Sequence, residues 1–318
     1  MPLPTISQVH IQTALSDLSI AYRQDMPSIA DQLFKPVPVD KQANKYFIWT
    51  KGDMWRREAS RRRAPGADFP RVGIRLSTDN YSCEQIPLEY PVPDEIRANQ
   101  DDAVDIEQTA AMYLVDQLNL EKDIAFATDF FAAGKGWGVG TVSTAWDTVT
   151  TGTPVTNIAA ASRDIRRALG ASNQHDIVGI GGLKILNAFL TSDQVRDRTK
   201  YVMAQTQDAL EGALAGVLGL DKLVIGSREY NTAKEGRAAS YSPVFDNDFL
   251  VLAVPRNPGK NVPAAGYTFE WDEDGRGTMY TEMYREEPKK QDVLRAICYW
   301  DMKQTGADLG VYFDNPVT

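Results

Sequence analysis

The sequence predicts an α+β protein, and three features carry that prediction. Residues 101 to 131 contain no glycine or proline, enough for one long helix. Residues 157 to 226 alternate helical and strand patterns, as a compact α/β unit does. The C-terminal part is rich in short segments of aromatic and β-branched residues, which read as strands. A chain of 318 residues that is 43% hydrophobic and 24% charged fits one large or two smaller globular domains with a sizeable core.

From the N-terminus, residues 1 to 42 read as an arm. One short helical stretch, TALSDLSIAY, precedes LFKPVPV, whose alternating prolines and valines favour an extended path. Residues 43 to 91 read as a long hairpin. NKYFIWT is one strand and RVGIRL the other, with Val72, Ile74 and Leu76 on one side and Arg71, Gly73 and Arg75 on the opposite side. Arms of about 20 residues would reach about 65 Å when fully extended. Pro93 and Asp94 are a helix start signal, and Gly134 is the expected stop. Between them Val104, Ala111, Leu114, Leu118 and Ala125 share one helical face, over a span of about 46 Å.

Residues 132 to 156 are rich in glycine and threonine and suggest a loop or short hairpin. The α/β unit follows: helices at NIAAASRDIRRAL, GLKILNAFL and QTQDALEGALAGVLG, strands at DIVGIG and KLVIG. Residues 227 to 265 read as loops around one buried strand, FLVLAV. GYTFEW, GTMYTEMYREE and DVLRAICYWDMK are the closing strands.

The charge is unevenly placed. The chain carries −9 overall, yet Arg56, Arg57, Arg61, Arg62 and Arg63 fall within eight positions. Residues 41 to 66 carry +6, and residues 91 to 130 carry −8. The arginines admit three readings: a solvated basic loop, a nucleic-acid patch, or a contact with an acidic protein surface. The average field of an acidic chain repels a polyanion. A long hairpin needs a cover for its apolar face. Together these favour the third reading, with the five arginines meeting Asp101, Asp102, Asp105, Glu107 and Asp116 of a neighbouring copy.

Catalytic patterns are sparse. His10 and His175 have no nucleophile beside them, and Cys83 and Cys298 form neither a disulfide framework nor a zinc spacing. AAGKGWGVG and GIGGLK depart from the phosphate-loop pattern and read as a helix C-cap and a strand-to-helix turn. EWDEDG places Glu270, Asp272, Asp274 and Gly275 like the start of a calcium loop. The twelfth position, however, is Thr281, with Glu282 one place late, so an acidic hairpin turn is the better reading. No catalytic, cofactor-binding or metal-binding residue is assigned. The start of the chain lacks a secretory pattern, and FLVLAV is far short of a membrane span. The expected setting is a reducing cytosol or a particle assembled in one.

Three stretches carry a family resemblance: IADQLFKPVPVDKQANKYFIWTKGDMWR, LDKLVIGSREYNTAKEG at 220 to 236, and VPAAGYTFEW at 262 to 271. In this order and spacing they resemble the major capsid proteins of tailed bacteriophages, which have the Hong Kong ninety-seven capsid fold. The resemblance runs from about residue 20 to the end. It implies an N-terminal arm (1–42), an extended loop (43–91), a peripheral domain with a long spine helix (92–154 and 266–318) and an α/β axial domain (155–265). It implies self-assembly into hexamers and pentamers of an icosahedral shell around double-stranded DNA, touched weakly and non-specifically. The extended loop would lie over a neighbour's peripheral domain. Portal and decoration proteins are further implied partners. The 42 residues before the loop are too few for a built-in scaffolding segment, so scaffolding would be a separate protein or none. In some relatives a loop lysine crosslinks to another subunit. Lys51 stands at a suitable height, without an identified acceptor. The implied location is the virion capsid, assembled in the bacterial host cytoplasm. The alternatives are an encapsulin-like nanocompartment shell and, from other classes, an α/β enzyme using residues 155 to 265 or a nucleic-acid-binding module.

Overall fold

The computed structural model describes residues 28–49, 51–57, 68, 69, 71, 73–99, 106–170, 173–199, 207–259, 261–273 and 278–317. The helix expected at TALSDLSIAY lies outside them. Two sheets organise the described chain.

The first sheet has the order β5-β14-β10-β6-β7. Its central strand β10 (Phe249–Pro255) is buried at every position, as the unbroken run FLVLAV requires of a strand covered on both faces. It is antiparallel to β14 (Gly310–Phe313) and to β6 (His175–Gly182), and β6 is parallel to β7 (Lys222–Gly226). Helices α5 (Pro154–Leu169), α6 (Leu183–Thr191), α7 (Asp193–Thr199) and α8 (Gln207–Leu218) complete the unit. Helix α5 starts with proline in its first turn and ends at Gly170, whose φ of 70° is the left-handed conformation that glycine adopts without strain. Its buried residues Val155, Ile158, Ala161, Ile165 and Leu169 lie three or four apart and face the core. GIGGLK is the turn from β6 into α6, as expected. Residues 132 to 156 hold β5 (Gly138–Val139), which pairs in parallel with β14 rather than forming a hairpin. Helix α7, β14 and the small ribbon of β8 (Glu229–Asn231) with β9 (Tyr241–Pro243) were not expected.

The second sheet is built on the 14-residue strand β13 (Gln291–Gln304). β4 (Glu84–Pro93) pairs along it from Trp300 to Gln291. β11 (Gly266–Trp271) pairs with residues 300 to 304, and β12 (Met279–Glu286) with residues 291 to 298. Trp300 faces both Glu84 and Glu270, so β4 and β11 lie on opposite edges. By the same rule β12 lies opposite β4. β11 and β12 are therefore consecutive stretches along one edge, interrupted by residues 272 to 278. This corrects the reading of EWDEDG as a hairpin turn: it opens an excursion within one edge. Asp274 and Gly275 lie outside the described residues. Glu273 is held there by the hydroxyls of Tyr280 (2.7 Å) and Tyr299 (3.0 Å). Among the described residues no group of three or more His, Cys, Asp or Glu could hold a metal ion, and no helix is long and apolar enough to cross a membrane.

The expected long helix is present as the 25-residue α4 (Ile106–Phe130), about 37 Å of helix, preceded by the short α3 (Asp94–Ala98); residues 101 to 105 of the expected span lie outside the described residues. Its last carbonyl, at Phe130, accepts the Trp137 indole N–H at 2.7 Å. Gly134 lies in the turn beyond, with φ of 80°. The buried face is Ala110, Leu114, Leu118, Lys122, Asp123 and Phe126, not the stripe through Ala111 and Ala125; Val104 is outside the described residues. Steps of four drift around a helix because they overshoot one turn. The drift suits α4, which lies first on the second sheet and then enters the α/β core. Leu114 and Leu118 pack with Ala296 and Cys298, while Phe126 meets Phe34 and Phe245. This helix joins the two sheets.

The N-terminal segment is part of the core. α1 (Ile29–Leu33) buries Ile29, Ala30 and Leu33, and Phe34 is fully buried after it. β1 (Lys35–Val39) adds to β11 as a parallel edge strand, which two prolines tolerate. β2 (Ala43–Trp49) pairs with β3 (Leu76–Ser82) over seven residues each. RVGIRL is thus not a strand. The strand begins at its last residue, Ile74 is exposed, and Val72 is outside the described residues. Burial decides the pairing: Tyr46 and Tyr81 pack on Phe269, whereas the described residues of RVGIRL are exposed.

Candidate functional site

The site is a surface, and it starts with the two faces of the β2–β3 ribbon. Tyr46 and Tyr81 face the body of the protein, and the Tyr46 hydroxyl donates to Asp79 at 2.9 Å. On the outer face Phe47 is 67% exposed and Leu76 is 47% exposed. Beyond the ribbon, Met54, Trp55, Phe69 and Ile74 are also more than half exposed. This is a run of large apolar side chains on a thin element.

At the foot of the ribbon lies α2 (Lys51–Met54), a single turn closed around Asp53. The buried Asp53 carboxylate accepts from Arg56 at 2.8 Å and from Arg75 at 2.7 Å. The hydrogen bond from Arg75 holds the Asp53 carboxyl below its usual range. Of the five arginines, Arg56 is therefore anchored within its own chain and Arg57 is exposed; Arg61, Arg62 and Arg63 lie outside the described residues. Lys51 pairs with Asp308 and lies 4.7 Å over the Trp55 ring.

The acidic helix carries the complementary charge. Glu107 pairs with Arg97 at 2.5 Å, and Arg97 also pairs with Asp292 at 2.5 Å. Arg285 donates to Asp94 at 2.6 Å through both terminal guanidinium nitrogens, Nη1 and Nη2, and reaches Asp292 at 3.3 Å. These bonds, Arg285 to Asp94 and Arg97 to Asp292, hold both carboxyls below their usual range. Asp116 sits half-buried further along α4; Asp101, Asp102 and Asp105 lie outside the described residues. Beside this clasp, Tyr90, Ile96, Met112 and Tyr113 are exposed, and the Tyr90 and Tyr113 rings meet edge to face at 6.5 Å.

Sequence reasoning found the charges and the hairpin's need for an apolar cover, but it singled out neither Phe47 nor the apolar patch of Tyr90, Ile96, Met112 and Tyr113. It also missed the role of Asp53, although an acid three residues before an arginine in a basic stretch is a legible signal for an internal anchor. The histidine and cysteine readings are simpler. His175 is buried and its Nε2 donates to the Pro263 carbonyl at 2.5 Å; His10 is outside the described residues. Cys83 and Cys298 are buried free thiols, each pushed by burial up to about 11.

One buried polar joint was also missed. Asp123 of α4 accepts from the Ser28 hydroxyl (2.8 Å), the Ala30 backbone N–H (2.9 Å) and Arg228 (2.7 Å). Its neighbour Lys122 pairs with Asp31 (2.5 Å) and Glu270 (2.6 Å). The joint ties the N-terminal segment to the spine helix, to β11 and to the loop after β7.

The chain has the architecture of a capsid-type shell subunit: a spine helix joining a long-stranded sheet to an α/β unit, with a ribbon standing off the body. More particularly, the fold is the Hong Kong ninety-seven capsid fold, as solved structures establish. A phage-related protein from Bordetella bronchiseptica RB50 aligns with a TM-score of 0.68 at 20% identity, covering 93% of this chain and 94% of that one. The capsid structure of the cyanophage P-SCSP1u aligns at 0.65 with 12% identity, covering 98% and 94%. The SrpI encapsulin of Synechococcus elongatus PCC 7942 aligns at 0.58 with 10% identity, covering 99% and 96%. No protein-family model and no curated protein matches the chain.

Proposed function

We propose that this chain is the major capsid protein of a tailed bacteriophage. It self-assembles through hexamers and pentamers into an icosahedral shell around double-stranded DNA. The observation that carries the reading is the outer face of the β2–β3 ribbon, whose Phe47 and Leu76 lack full cover among the described residues. A second copy supplies that cover. Its surface around Tyr90, Ile96, Met112 and Tyr113 is apolar and is flanked by the acidic helix, matching the basic, apolar loop.

Magnitudes divide the labour. Covering one large apolar side chain is worth about 1.5–3 kcal/mol, whereas an exposed ion pair is worth about 0–1 kcal/mol. The apolar face therefore supplies most of the contact energy. Arg57, Arg61, Arg62 and Arg63 against Asp101, Asp102, Asp105, Glu107 and Asp116 set register and partner choice. Arg56, Glu107 and Asp116 each already hold an interaction in their own chain, so they contribute through the field they leave. Separate scaffolding, portal and decoration proteins belong to the same reading, as do assembly in the host cytoplasm and residence in the virion.

Electron microscopy of the purified protein tests it: closed particles are expected. Changing Arg61, Arg62 and Arg63 together to Glu should abolish closed particles and leave a folded subunit. Normal particles from that variant would sink the loop assignment, and an inert monomer from the unchanged protein would sink the function. A second reading, a nanocompartment shell, draws on the encapsulin likeness over nearly the whole chain. Nucleic acid inside the particles supports the capsid, and a protein cargo supports the compartment.

A further inference from the structure

The joint beneath the N-terminal segment is unbalanced in charge. Among the described residues two cations, Lys122 and Arg228, face three carboxylates: Asp31, Asp123 and Glu270. Without the segment the remaining groups pair evenly, Lys122 with Glu270 and Arg228 with Asp123. Seating the segment brings in Asp31 and, with it, one surplus negative charge. Excess charge in a poorly hydrated site is expensive, and a carboxyl can relieve it by taking up a proton. Asp31 is suited to this, because its side chain is 33% exposed while that of Lys122 is only 4% exposed. Solvent protons can reach the one group and not the other.

We infer that the joint is a proton-linked latch: the segment from Ser28 to Val39 seats more firmly when Asp31 is protonated. α1 packs against α4 and β1. The charged groups that face Asp31 are Lys122 and Asp123 on α4 and Glu270 on β11. Arg228 stands behind Asp123, Lys222 donates to the neighbouring Gln32, and the Cys298 thiol stays neutral. Burial raises the Asp31 pKa above its ordinary value of 3.8 despite the opposing pull of Lys122, and Glu270 and Asp123 push the same way. A carboxyl whose pKa is raised on seating binds more protons in the seated state. Its contribution is complete below the ordinary carboxylate pKa and is lost as pH rises through the raised value. Acidification tightens the latch and alkaline pH loosens it, by at most about tenfold per pH unit for one proton.

Hydrogen exchange of the full chain tests this at the amides of Phe34, Lys35, Val37 and Val39, between about pH 7.5 and about pH 4, just above the ordinary carboxylate pKa, corrected for intrinsic rates. Protection should rise several-fold on acidification. In Asp31→Asn it should be flat with pH and at least as high as in the unchanged chain at neutral pH. Flat protection in the unchanged chain, or the same pH dependence in Asp31→Asn, would overturn the latch. If Asp31→Asn does not fold, Glu270→Gln decides. That change balances two cations with two carboxylates and makes ionised Asp31 favourable, which holds its pKa at or below the ordinary 3.8, so the rise on acidification should disappear. A rise there would overturn the latch equally.

Discussion

Asp123 and Arg228 form an ion pair whose side chains are 0% and 1% exposed. A pair this buried is weak evidence for net stability, because desolvation offsets the attraction. Its two halves are nonetheless bound to each other. Asp123→Ala leaves the Arg228 guanidinium buried without its carboxylate and also strips Ser28 and the Ala30 N–H of their acceptor. A loss of about 3–5 kcal/mol is expected in urea unfolding of the unassembled subunit, and a loss under 1 kcal/mol would contradict the geometry. Nothing in the sequence marks this joint. Ser28, Arg228 and Glu270 stand 95, 105 and 148 positions away from their partners on α4. Asp53 is the opposite case, since its partner Arg56 is three positions away and the local pattern suffices.

At the scale of elements, the junction of the N-terminal segment with β11 is one of the tight points. Phe34 is fully buried against Phe126, Phe130 and Trp137, and its ring lies directly over the backbone of Gly266. A Cβ at that position would overlap the ring. Gly266→Ala should therefore cost about 1–3 kcal/mol through overpacking, read as a lowered Tm of the unassembled subunit. Partial rescue by Phe34→Leu would tie the loss to this contact. The elements of the α/β unit other than α7, β5 and β14 were legible because each is specified locally. FLVLAV is a strand buried on both faces, and α5 has proline at its start and glycine at its end. The limits of β3 were not, because pairing follows Tyr46 and Tyr81 onto Phe269, a contact between distant segments. The interruption between β11 and β12 was illegible for the same reason, since only the partner strand β13 reveals that the two are collinear.

For the whole molecule, charge and apolar exposure answer different questions. The proposed contact joins a basic loop to an acidic helix across a largely apolar face. Salt screens exposed charges within about 8–10 Å at moderate ionic strength and leaves apolar burial intact or strengthened. Raising sodium chloride should therefore slow assembly, as followed by light scattering, without dissolving finished particles. Phe47→Ser should do the reverse, lowering particle yield at every salt concentration. Particles that dissolve in salt while Phe47→Ser assembles normally would assign the contact to charge alone.

The sequence by itself determined the α+β class, the α/β unit, the spine helix and the segregation of positive and negative charge, all of which rest on neighbours within a few turns or one strand. Only the tertiary structure decided which face of the spine helix is buried, where the ribbon strands begin, and that the N-terminal segment enters the core. It alone placed three carboxylates around two cations beneath that segment. These depend on groups far apart in the chain, whose desolvation and pairing are defined only once folding has brought them together.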